Sequence, residues 1–128
     1  MRGRITFRAG DPALESADVI VDATTVALVC DAGREALEAS LRGAWRQALA
    51  GAAARGARTI VVPALGAGAG LPLQRVAELL LEEARAHLAG EGAIEEIRFV
   101  LASEPALRVF ESVQDGFRIA EQVRRGLP

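Results

Sequence analysis

The sequence lacks lysine, asparagine and tyrosine, and it contains one cysteine, one histidine and one tryptophan. Without lysine the chain cannot form a P-loop, a Schiff base or a Ser–Lys catalytic pair. A single cysteine excludes an internal disulfide and a multi-thiolate metal site, so we expect a reducing, cytoplasmic compartment and neither a metal nor a cofactor. Abundant alanine and leucine without asparagine are typical of a thermophile or a GC-rich genome.

Charge and hydropathy predict a single folded domain over all 128 residues. Hydrophobic residues make up 51% and charged residues 25% of the chain, which excludes the disordered class. A net charge of −2 argues against nucleic acid as a partner. Pro63 and Gly66 interrupt the longest uncharged run, so we expect no membrane contact. Arg2 and Arg4 lead directly into a short alternation of polar and apolar residues, so we expect no signal peptide.

Hydrophobic periodicity predicts alternating strands and helices, which indicates a mainly parallel sheet covered by helices. The short first strand is expected at an edge, in an antiparallel pairing. Trp45 follows the apolar face of its helix, which predicts a core position rather than a stacking role. The predicted strands cover 4–9, 17–23, 26–30, 57–64 and 94–102, and the predicted helices cover 33–56, 73–88 and 104–125.

A glycine-rich stretch, VPALGAGAG at 62–70, joins a predicted strand to a predicted helix. Ligands of such sheets bind at the carboxyl ends of the strands. Small residues let main-chain amides approach an anion, and the positive end of the next helix points at the same place. This pattern predicts a phosphate cradle, and its alternative is a tight turn that lets the helix pack close to the sheet. The G-x-G-x-G spacing does not match the dinucleotide fingerprint G-x-G-x-x-G.

Two further segments resemble the macro domain, the ADP-ribose-binding fold. Gly10-Asp11 and the run Asp18-Val-Ile-Val-Asp22-Ala23 stand at the spacing of that family's Gly-Asp and Asn-Ala motifs. The glycine-rich stretch and the last strand and helix resemble the family's second half. The resemblance covers most of the chain and implies a three-layer α/β/α fold with a mainly parallel mixed sheet of about five to six strands.

The resemblance also implies roles for individual residues. Asp11 would accept from the adenine amino group, although Asp11-Pro12 is equally consistent with a simple turn. The glycine loop would hold the diphosphate through its main chain, and Ser103 would lie near the adenosine. The implied ligand-binding residues are Gly10, Asp11, Pro12, Asp22, Ala23, Thr24, Gly66, Ala67, Gly68, Ala69, Gly70 and Ser103.

Departures from the family pattern weaken the expectation of catalysis. The family's Asn-Ala-Ala-Asn motif is replaced here by Asp22-Ala23-Thr24-Thr25, so the asparagine that orients the distal ribose in the family is missing. Asp22 is the candidate general base, and its alternative role is to cap a turn. The family's glycine-rich first loop and first helix have no counterpart. Cys30 is expected to be a small core residue, and His87 to lie at a helix C-terminus.

Three functions remain open at this level. The first is a module that binds ADP-ribose, a related adenine nucleotide or an ADP-ribosylated protein. The second is a hydrolase of ADP-ribosyl bonds or O-acetyl-ADP-ribose, with Asp22 or a substrate phosphate activating water. The third is a scaffold subunit that has lost its pocket and forms a homodimer.

Overall fold

Four parallel strands form one sheet in the part of the chain that the computed structural model describes, residues 3–21, 33–67, 70–90 and 92–126. The strand order is β1-β4-β3-β2, and each neighbouring pair is parallel. The predicted strand over 26–30 lies outside the described residues. The strands are β1 (Arg4–Ala9), β2 (Val19–Ile20), β3 (Thr59–Val62) and β4 (Glu96–Leu101).

Three long helices follow the predicted periodicity. They are α1 (Gly33–Ala54), α2 (Leu73–Ala89) and α3 (Glu104–Arg124). Gly116 does not interrupt α3, because the helix is held on both sides of it by the buried Phe110 and the half-buried Phe117. Within the described residues, no helix has the length and apolar character needed to cross a membrane.

The position of β1 corrects one prediction about the sheet. β1 lies at an edge as expected, but it pairs parallel to β4, with Ile5 opposite Ile97 and Phe7 opposite Phe99. Alternation of apolar residues places the same side chains on the same face in either direction, so the sequence pattern does not specify the direction of pairing. The described residues also form fewer strands than the five to six predicted, and all of them are parallel.

The core lies between one face of the sheet and the helices. Trp45 of α1 and Phe110 of α3 both contact Phe99 of β4, with ring centroids 6.2 and 5.4 Å apart. Trp45 is fully buried, and its Nε1–H donates to the main-chain oxygen of Leu80 at 3.0 Å. The predicted core position of Trp45 is therefore confirmed, and this contact fixes α1 against α2.

Candidate functional site

The carboxyl ends of the parallel strands bring three predicted segments to one edge of the sheet. Gly10 and Asp11 follow β1, Ser103 follows β4, and the glycine loop follows β3. The Gly10 amide donates to the Leu101 oxygen at 2.8 Å, which ties the start of this edge to the end of β4. Asp11 follows β1 and the glycine loop follows β3. Because β4 lies between these two strands, their carboxyl ends are about 10 Å apart, which is two strand spacings.

Asp11 caps a short 3-10 turn over Pro12–Leu14. Its Oδ1 accepts from the Ala13 amide at 2.9 Å, and its main-chain oxygen accepts from the Leu14 amide at 3.0 Å. The residue is exposed at the sheet edge, and Oδ2 makes no hydrogen bond to any described residue. The turn role is therefore present, and it engages one of the two carboxylate oxygens.

The glycine loop begins as a tight turn against α1. Gly66 has φ +86°, and a Cβ there would stand 3.0 Å from Leu41 Cδ2. The Ala67 amide donates to the Ala64 oxygen at 3.3 Å, so this donor is used within the loop. Gly70 has φ +106° and open space around its Cα. The close approach to α1 explains Gly66 as a packing residue, whereas packing does not explain Gly70.

Among the described residues, no side chain caps the N-terminus of α2. Its N-cap residue, Pro72, has no side-chain hydrogen-bonding group, and the first turn contains no acidic residue. The first helical bond runs from the Val76 amide to the Pro72 oxygen at 3.0 Å. None of the described residues accepts from the amides of Leu73, Gln74 and Arg75. Main-chain donors that have no acceptor among the described residues, together with the positive end of the helix dipole, are suited to binding an anion.

The sequence analysis predicted that the positive end of this helix faces the glycine loop, but it did not predict that the terminus lacks a side-chain cap. The sequence does carry a sign of this missing cap. No Ser, Thr, Asp or Asn stands directly before the helical pattern, where an N-cap residue would normally be found. The helix α3 shows the usual alternative, since its N-cap Ser103 accepts from the Ala106 amide at 3.2 Å and Glu104 stands in its first turn. Ser103 therefore lies at the predicted edge, and its hydroxyl oxygen already serves the helix.

We expect Ser103→Ala to lower the free energy of unfolding by about 1 kcal/mol, because the Ala106 amide loses its acceptor. Urea denaturation measures this change. Ser112→Ala, an exposed substitution within α3, is the matched control and should change stability by less than about 0.5 kcal/mol. Equal effects of the two substitutions would contradict the capping role.

Some of the remaining predicted residues lie within the described ranges and others lie outside them. The Val21 amide donates to the Val61 oxygen at 2.8 Å. This hydrogen bond extends the pairing of β2 with β3 toward the carboxyl edge of the sheet. His87 lies in the last turn of α2, as predicted. In the described ranges, no group of three or more His, Cys, Asp and Glu residues could hold a metal ion. The residues outside the description are Asp22, Ala23, Thr24, Cys30, Gly68 and Ala69.

Comparison with solved structures identifies the architecture. The chain is similar to an Oceanobacillus iheyensis macrodomain with ADP, with 17% identity, TM-score 0.65, and coverage of 73% of this chain and 49% of that chain. A Trypanosoma brucei macrodomain in complex with ADP matches with 18% identity, TM-score 0.71, and coverage of 88% and 69%. The same organism's macrodomain in complex with ADP-ribose matches with 26% identity, TM-score 0.56, and coverage of 59% and 33%.

These similarities give the chain a macrodomain fold. The chain spans about half the length of the Oceanobacillus iheyensis protein. No protein-family model and no curated protein matches the sequence. The predicted resemblance is thus confirmed for the fold.

Proposed function

We propose, on the basis of this macrodomain fold, that the chain binds ADP-ribose or a related adenine nucleotide at the carboxyl edge of its sheet. The observation that carries the proposal is the uncapped N-terminus of α2 directly behind the glycine loop. The amides of Leu73, Gln74 and Arg75 and the positive end of the helix dipole would receive the diphosphate. The solved macrodomains with ADP and ADP-ribose support this ligand class.

Two glutamates balance the charge of Arg75 at the start of α2, so the main-chain amides and the helix dipole are the groups that would attract an anion. Arg75 is the charged residue of the first turn, and its guanidinium pairs with Glu38 at 2.9 Å and Glu78 at 3.0 Å. Hydrogen bonds that Arg75 donates to Glu38 and then to Glu78 raise the pKa of Arg75 above its ordinary value, so it stays charged. The carboxylates of these pairs are engaged with Arg75, which leaves the main-chain donors to an incoming phosphate.

The adenine end of the proposed site lies across the sheet edge. Asp11 Oδ2 would accept from the exocyclic amino group, because a carboxylate is a strong acceptor for an N–H donor. Ala102 and Ser103, both exposed after β4, lie between Asp11 and the glycine loop. The ribose would therefore pass over the end of β4. We extend the ligand class to ADP-ribosylated proteins, whose modification carries the same diphosphate.

Pro72→Asp provides the sharpest test of the diphosphate cradle. An aspartate at the N-cap position would accept from the free amides of α2 and place a negative charge where the phosphates should bind. We expect calorimetry to show an affinity for ADP-ribose at least about tenfold lower than that of the parent chain, a change of about 1.4 kcal/mol. Its free energy of unfolding should change by less than about 1 kcal/mol, since the cap gained offsets the proline lost.

Pro72→Ser is the matched control, because a serine caps the helix without adding charge. We expect it to weaken binding less than Pro72→Asp does and to leave a similar melting temperature. Undiminished binding by Pro72→Asp would place the diphosphate elsewhere. Absence of both heat and thermal shift with the parent chain at millimolar ADP-ribose would reject the proposed function itself.

Hydrolysis and a scaffold role are the two alternatives to this proposal. Hydrolysis of an ADP-ribosyl bond or of O-acetyl-ADP-ribose needs a general base or a substrate phosphate to activate water. The candidate base, Asp22, lies outside the described residues, so its role as a base depends on the sequence alone. Turnover by the parent chain that Asp22→Ala abolishes would establish the enzyme. A homodimer without nucleotide binding would establish the scaffold.

A further inference from the structure

A segment that we call the crossing segment, residues 11–18, connects β1 to β2 across the sheet face that carries Thr6, Glu96 and Arg98. It begins at the carboxyl edge with Asp11 and its 3-10 turn. It ends at the opposite edge, where the Asp18 amide donates to Thr59 Oγ1 at 3.0 Å and Asp18 Oδ2 accepts from the Arg58 amide at 2.7 Å. Both ends of the segment are therefore fixed, and one of them contains the residue proposed to select the base.

Arg98 holds the middle of the crossing segment. Its Nη1 donates to Glu15 Oε1 at 3.0 Å and to the Ser16 oxygen at 3.5 Å. Its Nε and Nη2 donate to the two carboxylate oxygens of Glu96, at 3.0 and 3.1 Å. The side chains of Arg98 and Glu15 are only 18% and 12% exposed. Arg8 donates to the same Glu15 oxygen at 3.0 Å.

The sheet side of this contact is itself immobilised. Thr6 Oγ1 donates to Glu96 Oε2 at 2.6 Å. Hydrogen bonds from Arg98, followed by the one from Thr6, hold the pKa of Glu96 below its ordinary value, so this carboxylate stays ionised at neutral pH. The Arg98 guanidinium therefore has a fixed orientation from which it can hold Glu15.

The 3-10 turn transmits the position of Glu15 to Asp11. The Glu15 amide donates to the Pro12 oxygen at 3.2 Å, and the Leu14 and Ala13 amides donate to the oxygens of Asp11. The same short turn therefore connects the main chain of Glu15 to the carboxylate of Asp11. Asp11 is exposed, so the turn is the main source of its orientation.

We propose that Glu15, held by Arg98, is a positioning residue that sets the base selectivity of the site by orienting Asp11. The inference rests on the proposed nucleotide binding and extends it to a residue that does not contact the ligand. Loss of the contact should affect recognition of the adenine amino group, whereas the diphosphate contacts at α2 lie two strands away and should persist.

The test compares binding of ADP-ribose with binding of its hypoxanthine analogue, which lacks the exocyclic amino group. For the parent chain we expect a preference for adenine of about tenfold, the effect of one hydrogen bond to a charged group. Glu15→Ala should reduce this ratio at least threefold and change the affinity for the hypoxanthine analogue less than twofold. Glu15→Gln, which still offers an oxygen to Arg98, should restore more than half of the lost ratio.

Three controls separate positioning from a general loss of structure. Asp11→Ala should abolish the preference, and Glu111→Ala, an exposed substitution on α3, should leave it unchanged. Amide exchange at Ala13 and Leu14 should accelerate in Glu15→Ala. An equal loss of affinity for both ligands in Glu15→Ala would overturn the inference, as would an unchanged ratio. A parent chain that binds both ligands equally would overturn the inference while keeping the diphosphate site, and one that binds neither would reject both.

Discussion

Replacing Trp45 by alanine should lower the free energy of unfolding by about 3–5 kcal/mol, the largest effect that we expect from a single substitution in this chain. Trp45 is fully buried, and its ring contacts Phe99 at the centre of the sheet. Alanine would leave a cavity between α1, α2 and β4 and would remove the hydrogen bond to the Leu80 oxygen. Urea denaturation followed by circular dichroism measures the change, since Trp45 is also the chain's one tryptophan fluorophore.

Two further variants separate the parts of this effect. Trp45→Phe keeps most of the apolar volume and loses the indole donor, so we expect it to cost less than Trp45→Ala. Ile119→Ala is the surface control, because Ile119 is 61% exposed, and it should cost less than about 0.5 kcal/mol. A cost below about 1 kcal/mol for Trp45→Ala would show that this residue does not support the packing of α1 on the sheet.

Acid should destabilise the protein through Glu83, the buried carboxylate between α1 and α2. Glu83 Oε2 and Oε1 accept from Arg46 at 2.7 Å each, and Oε1 also accepts from Arg42 at 3.0 Å. Hydrogen bonds from Arg46, followed by the one from Arg42, hold the pKa of Glu83 below its ordinary value of 4.5. Because the folded state binds this proton less readily than the unfolded state, the stabilisation is fully present above pH 4.5. It is lost as the pH falls through the folded-state pKa.

Glu83→Gln is the variant that isolates this contribution. At neutral pH we expect it to lower the free energy of unfolding by about 1–3 kcal/mol, since charge-assisted hydrogen bonds become neutral ones. Below pH 4.5 the parent chain should lose stability more steeply than the variant, so the two urea midpoints should converge. Glu111→Gln, on the exposed face of α3, is the matched control and should follow the parent curve. Parallel curves for the parent and Glu83→Gln would show that Glu83 does not titrate with folding.

The local pattern of the sequence was sufficient to predict most of the fold. The periods of three and four around Trp45 and the apolar runs at 57–64 and 94–102 predicted α1, β3 and β4, because local backbone preferences and the need to bury one face act over short distances. The resemblance to the macro domain added the fold identity, which the structural comparisons confirm. The predicted contacts of Asp11 and the glycine loop with a ligand remain predictions.

The sequence by itself determined that the segments of α1, α2, α3, β1, β3 and β4 are helices and strands, and that Trp45 enters the core. Only the tertiary structure decided that β1 runs parallel to β4 and that Arg98 joins Glu15 and Glu96. Periodicity is a local property that is identical for both directions of strand pairing. Arg98 and Glu15, by contrast, are 83 residues apart in the chain, so their contact exists only once β1 and β4 have paired.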